Sequence, residues 1–118
     1  RRIYSGDTIM SVWSGVSNGI PTSLMSPQEF TPSSKLQFQW PHWGHYKQSG
    51  GKSGAAPTLT SVRKLMDLNE AWFRATDAGK KLEIWHKILK NHADNVYVIG
   101  IVNSTKQPIS TVLTSPMV

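Results

Sequence analysis

The stretch LEIWHKILKNHADNVYVIGIV, residues 82–102, decides the expected fold because two different patterns meet inside it. Its first half repeats apolar residues at the spacing of one helix face. Its second half, residues 96–102, is almost wholly apolar, and a strand without a polar face belongs inside a sheet that is covered on both sides. The pattern therefore predicts a helix followed by a buried strand. The helix-face residues are Leu82, Trp85, Ile88, Leu89 and His92.

A second helix is expected directly before this stretch. Thr58 can cap a helix whose apolar side chains recur three and four residues apart. Asp77 can cap the helix that follows, and only a short link around residues 76–79 separates the two. The pair should therefore form an antiparallel helical hairpin. The apolar positions of the first helix are Val62, Leu65, Met66, Trp72 and Phe73.

The N-terminal half predicts one strand and a long loop. Residues 7–13, DTIMSVW, carry β-forming residues in loose alternation, so we expect a strand that ends near Trp13. Residues 14–56 are dense in Gly, Pro and Ser and follow neither period, which is typical of a functional or disordered loop. The expected order is strand, long loop, helix pair and buried strand. This is an α/β piece with too few strands to complete its own sheet.

Composition admits a binding partner of negative charge without requiring one. The 118 residues suffice for one domain, and the net charge of +6 permits a nucleic acid as partner. The basic residues are dispersed, however, and only Lys35 and Lys47 come near the aromatic residues around Trp40. A small basic nucleic-acid-binding domain, with aromatic rings stacked on bases, is the alternative function.

Catalytic and metal-binding motifs do not stand out in the sequence. The chain has no Cys, which excludes disulfides and thiolate metal sites. His42 and His45 lie three residues apart, but zinc normally needs three or four protein ligands. GKS at residues 51–53 ends like a phosphate loop, yet Tyr46 stands where that motif requires Gly. We therefore expect a binding protein and no enzyme, with no catalytic residue, no metal and no cofactor.

Aromatic residues concentrate in or beside the loop sequence. Such residues either pack as core or form the wall of a pocket for an organic ligand, and the small polar residues between them suit the second use. Both uses stay open on the sequence alone. The residues are Trp13, Phe38, Trp40, Trp43 and Tyr46.

Three stretches, taken in order, resemble the C-terminal part of extracellular solute-binding proteins of the peptide/nickel class (family 5), the receptors of bacterial ABC importers. They are GDTIMSVWSG, PHWGHYKQSGGKSGAAP and VRKLMDLNEAWFRATDAGKKLEIWHKILKNHADNVYVIGIV. The resemblance covers about residues 3–109 and implies two α/β lobes around a ligand cleft. The chain would then be a fragment of one lobe. Residues 1–102 would belong to the second lobe, and residues 103–118 would form the hinge crossing and the start of the return to the first lobe.

The resemblance also implies a function. Such a receptor captures a peptide or similar small polar solute between its lobes, and lobe closure presents the solute to a membrane permease. The implied partners are the ligand, an ABC permease and the remainder of the chain itself, with no nucleic acid. The implied location is the periplasm of a Gram-negative bacterium.

Ligand contacts are expected beside the tryptophan that ends the first strand. In peptide-binding members of the family, an Asp a few residues after that Trp pairs with the free amino terminus of the ligand. Val16 occupies this place, and an unpaired ammonium would be costly. A blocked peptide, a sugar-like ligand or another small polar solute therefore fits equally well. The predicted ligand-binding residues are Trp13, Ser14, Gly15, Val16, Asn18, Trp40 and Trp43.

Overall fold

The computed structural model of the chain describes residues 2–13 and 22–100, and every regular element within them is helical. The longest two, α3 and α4, form a hairpin on which the 3-10 helix packs, while α1 packs against α2. No helix in the described ranges has the length and apolarity that crossing a lipid bilayer requires. The elements are α1 (Arg2–Ser5), a short 3-10 helix (Pro27–Phe30), α2 (Pro41–Gln48), α3 (Thr60–Arg74) and α4 (Ala78–Asn95).

The predicted α/β fold is wrong, because none of the described residues forms a strand. Where the buried strand was expected, Val96 ends α4 with a φ of 48°, and its N–H closes the helix on the His92 carbonyl at 2.8 Å. Val98 and Ile99 follow with 57% and 70% of their surface exposed. An apolar run becomes a buried strand only where neighbouring strands pair with it and other layers cover it. The part of the chain described here supplies neither.

The other predicted strand, residues 7–13, also has no regular structure. Ile9, Met10 and Val12 are almost fully exposed, so their apolar character does not bury them against the described residues. The predicted hinge crossing, residues 103–118, lies outside the described residues.

The predicted helical hairpin is confirmed. Asp77 caps α4 as expected, since its carboxylate accepts a hydrogen bond from the Lys80 backbone N–H at 3.0 Å. Thr58 does not cap α3, which begins after Leu59 without a side-chain cap. Near the open end of the hairpin, Asn91 Nδ2 of α4 donates to the Ser61 carbonyl of α3 at 3.1 Å. The two helices therefore run antiparallel.

The hydrophobic core lies where the hairpin meets the loop and α2. Leu65 of α3 and Ile88 of α4 have no exposed surface, and Trp40 completes the centre with 6% exposed. Each of the three comes from a different element or loop, so the core joins α3, α4 and the chain that precedes α2. The half-buried side chains packed around this centre are Phe30, Trp43, Leu68, Ile84 and Tyr97.

Ring N–H groups of the hairpin hold the loop, residues 22–40, in place. Three hairpin side chains reach backbone carbonyls of this loop, and the partners are 49 to 62 residues apart in sequence. The loop has little regular structure, so these bonds satisfy carbonyls that no helix or sheet would otherwise satisfy. The pairs are Trp72 Nε1 to Ser23 O at 2.9 Å, Trp85 Nε1 to Met25 O at 3.1 Å and His92 Nε2 to Phe30 O at 2.6 Å.

The structure adds α2, which the sequence patterns did not predict. Pro41 occupies its first turn, where the missing N–H costs nothing and the fixed φ suits a helix. Gly44 lies in its middle and lowers its intrinsic helix propensity. Packing on the loop and the ion pair between Lys47 and Glu70 of α3 attach it to the rest of the molecule.

Replacing Leu65 with Ala should lower the free energy of unfolding by about 2–5 kcal/mol, because the side chain is fully enclosed and leaves a cavity. Leu89→Ala is the matched control, since Leu89 on α4 is 40% exposed and its truncation should cost less than about 1 kcal/mol. Urea denaturation followed by tryptophan fluorescence measures both. Equal losses in the two variants would contradict this assignment of the core.

Candidate ligand-binding site

The predicted ligand-binding residues after Trp13 cannot be placed. Ser14, Gly15, Val16 and Asn18 lie outside the described residues, and their role stays a prediction. Trp13 itself is 48% exposed. Its ring contacts Phe38, with centroids 5.5 Å apart and planes inclined by 55°.

Trp40 lies in the hydrophobic core, and Trp43 packs against it. Their rings stack with centroids 6.4 Å apart and planes 26° from parallel. Trp40 is almost fully buried, and its ring also contacts Tyr97 at 5.6 Å and His92 at 6.2 Å. The observed contacts of Trp40 are those of a core residue, while Trp43 is half-buried at the edge of the core. A ligand role for either one stays a prediction.

Trp13 instead belongs to a row of three aromatic rings. Phe38 is its centre, with Trp13 on one side and Tyr4 of α1 on the other, the latter at 5.5 Å in an edge-to-face arrangement. We call these three residues the aromatic row. Trp13 and Phe38 belong to the aromatic residues singled out from the sequence, whereas Tyr4 lies in a four-residue helix without a recognisable sequence pattern.

Beside the aromatic row is an open cleft between α1 and α2, with a volume of about 310 Å³. Tyr4 belongs to both features, so the row leads directly into the cleft. The volume is at the lower end of the roughly 300–1,000 Å³ usual for small-ligand sites. We call it the α1–α2 cleft, and its lining residues are Tyr4, Lys35, Leu36, Pro41, His42 and His45.

A close approach between α2 and the loop shapes one wall of this cleft. A Cβ atom at Gly44 would collide with the backbone carbonyl of Ser34, so only glycine lets the two segments come so near. Next to this point, the Lys35 backbone N–H donates to Gln48 Oε1 at 3.2 Å. These contacts hold Lys35 beside α2.

The opposite wall depends on α1. Tyr4 Oη donates to the Leu36 carbonyl at 3.4 Å, which ties α1 to the loop. Gly6 follows α1 with a φ of +81°, a conformation that glycine adopts without strain. A Cβ atom there would lie 2.8 Å from His42 Nε2, so Gly6 allows the chain to pass closely over this histidine.

His42 and His45 both line the cleft, as their spacing of three residues on one helix allows. The two histidines therefore lie close enough together to be considered as a metal-binding pair. Three potential ligands are needed for a metal centre of the common type, and the residues that the structure describes contain no such group of His, Cys, Asp and Glu.

His92, which the sequence places on the apolar face of its helix, is bonded to backbone. Its ring lies edge-to-face against Phe30 at 5.5 Å and Tyr97 at 5.2 Å. Because a carbonyl can only accept, Nε2 carries the proton in the 2.6 Å bond to Phe30. Burial lowers the pKa of His92 below its ordinary value of 6.5, and the bond to the Phe30 carbonyl opposes that effect in part.

A second groove, of about 460 Å³, lies between α3 and α4 near their connection. Its charged side chains include both signs, and Glu70 is already engaged by Arg74 at 3.3 Å and by Lys47. Paired charges leave this groove less suited to a ligand than the α1–α2 cleft. Its lining residues are Asp67, Glu70, Ala71, Arg74, Ala75, Lys80 and Ile84.

Comparisons of the chain with models of protein families, with curated proteins and with solved structures found no match. The chemistry of the site therefore follows from its own residues. Lysine and histidine donors occupy the α1–α2 cleft, and apolar rings adjoin it.

Gly44→Ala should lower the free energy of unfolding by about 1–3 kcal/mol, because the new methyl group collides with the Ser34 carbonyl. Within a helix, this change normally stabilises by up to about 1 kcal/mol, so the close approach reverses the usual sign. Thermal unfolding followed by circular dichroism measures the effect. Gly100→Ala is the control, since a Cβ there meets open space. A stabilised Gly44→Ala variant would contradict the close approach.

His92→Gln should remove one source of pH dependence in stability. The native pKa of His92 lies below its unfolded value, so the unfolded chain takes up the proton first as pH falls. The stabilising contribution of the neutral ring is therefore complete above pH 6.5 and is lost as pH falls through the lower native pKa. The difference in unfolding free energy between wild type and His92→Gln should shrink on acidification.

Urea denaturation at neutral and mildly acidic pH measures this difference. His86→Gln, at an exposed position of α4, is the control for the loss of an imidazole. A difference between wild type and His92→Gln that grows on acidification would contradict the burial effect.

Proposed function

We propose that the chain is part of an extracellular solute-binding protein of the peptide/nickel class, which binds a peptide or similar small polar solute for delivery to an ABC permease. The ordered series of three resembling stretches supports this family. From the same resemblance, we propose the periplasm of a Gram-negative bacterium as its location.

One structural observation indicates where the solute would bind. The first resembling stretch ends near Trp13, and the second contains His42 and His45. The two stretches approach each other where Gly6 passes closely over His42, which lines the α1–α2 cleft. Apolar rings with a few polar groups are the usual lining of a site for an organic ligand. The arrangement supports solute binding in the α1–α2 cleft, which Tyr4 connects to the aromatic row.

The lining of the cleft lacks the side chains that hydrolases commonly use as nucleophiles. None of its six residues is a Ser, Thr, Cys, Asp or Glu. The cleft thus offers neither an aliphatic hydroxyl or thiol nucleophile nor a pair of carboxylates for acid–base chemistry. A receptor needs only complementary contacts, which rings, lysine and histidine provide.

The exposed apolar side chains on both sides of the hairpin suit a larger receptor. Ile9, Met10 and Val12 precede it, and Val98 and Ile99 follow it, all with most of their surface exposed. Side chains of this kind favour contact with further protein surface. We assign that contact to the remainder of the receptor chain.

Isothermal titration calorimetry tests the proposal with tri-alanine, N-acetyl-tri-alanine and cellobiose, each up to millimolar concentration. We expect saturable binding of at least one solute. Trp13→Ala should weaken it about 3- to 10-fold through loss of a ring contact. Phe73→Ala, at a 53% exposed aromatic position on α3, is the matched control and should leave the affinity unchanged.

Oligothymidylate is the counter-probe for the alternative function. Affinity for this oligonucleotide that falls steeply with added salt, together with no heat from any of the three solutes, would overturn the proposal. It would favour the basic nucleic-acid-binding domain, in which the aromatic row stacks on bases.

A further inference from the structure

The α1–α2 cleft brings together side chains that donate hydrogen bonds, one of which is a lysine. Lys35 lines it from the loop, and His42 and His45 line it from α2. Lysine has three donors and no acceptor, and histidine can donate from either ring nitrogen. The groups come from two segments that the Gly44 approach and the bond from Lys35 to Gln48 hold together.

Negative charge is not available in the cleft to neutralise these donors. None of the six lining residues is acidic. Asp7, which follows α1, is not among the residues that line the cleft. Glu70, which reaches α2, pairs with Lys47. The cleft therefore favours a negatively charged group, and the net charge of +6 adds to that preference.

Exposed apolar side chains line the cleft next to these hydrogen-bond donors. Leu36 is 68% exposed and Tyr4 is 43% exposed, although both side chains could have contributed to a core. Together with Pro41, they form the part of the cleft that continues into the aromatic row. A lining that is cationic at one end and apolar at the other suits a solute with an anionic group on an organic body.

We propose that the α1–α2 cleft binds the oxyanion of a small solute, a carboxylate or a phosphate, through Lys35, His42 and His45, while Tyr4 and Leu36 contact its apolar body. This rests on the proposed function, since it assigns the charged end of the same solute. It is also compatible with the sequence, in which Val16 stands where peptide-binding members of the family carry Asp, because the ligand would be recognised by its anion and not by its ammonium.

Proton NMR of the imidazole groups tests the assignment on the whole chain. Inorganic phosphate and 3-phenylpropionate are the two probes, each compared with sodium chloride at equal ionic strength. We expect saturable shifts at His42 and His45 and none at His86, which lies exposed on α4. Tighter binding of phosphate would identify a phosphate ester as the solute, and tighter binding of phenylpropionate would identify a carboxylate.

Charge-matched variants separate the cleft from the general attraction of a basic chain. Lys35→Gln should weaken binding about three- to fivefold, the value of one exposed charged contact. Lys87→Gln removes the same charge from an exposed position of α4 and should leave the dissociation constant unchanged. Circular dichroism checks that both variants fold.

Equal weakening by the two lysine variants, or shifts at His86 as large as those at His42, would overturn the proposal. So would shifts no larger than those in sodium chloride. Cellobiose binding distinguishes this failure from failure of the proposed function, because a receptor for neutral solutes would still bind cellobiose while ignoring both anions.

Discussion

Three ring N–H groups of the hairpin, each bonded to a backbone carbonyl of the loop, hold residues 22–40 against α3 and α4. Residues 31–40 have no regular structure that could determine their course. The donors Trp72, Trp85 and His92 are planar groups with few rotatable bonds, and Trp85 and Trp72 are themselves buried. Fixed donors of this kind hold a chain that has lost its hydrogen bonds to water. Trp40 enters the core only because the loop is held along this course.

The helical hairpin could be predicted because its signals are local. Leu65 and Ile88 repeat with the helical period, and Asp77 stands directly before α4. The strand expected at residues 96–102 was wrong over its described part, residues 96–100, for the opposite reason. Its apolar side chains indicate that the segment could be buried, but a strand also requires neighbouring strands that form hydrogen bonds with it. Val98 and Ile99 have no such neighbours among the described residues.

The candidate site could be predicted only in part. Trp13 was expected to contact a ligand; its ring packs on Phe38, and the ligand role stays a prediction. Tyr4 and Lys35 come to the cleft through contacts that leave no periodic pattern in the sequence. Gly44 permits the close approach of Ser34 to α2, but in the sequence it indicates only a residue of low helix propensity. Trp40 carried the same aromatic signal as Trp13 yet is buried. Composition alone does not distinguish an aromatic ring that is buried in the core from one that is exposed.

The sequence distance of the three anchoring bonds also has a kinetic meaning. The contacts within the hairpin close short loops, whereas the bonds from the hairpin to residues 23–30 join partners 49 to 62 residues apart. Local contacts form early in folding because they cost less chain entropy. The hairpin should thus form first, and the loop should dock on it as a later, separately reversible step. Lys35 and Phe38 reach their places in that last step, so the cleft should assemble last and be the first part of the molecule to open.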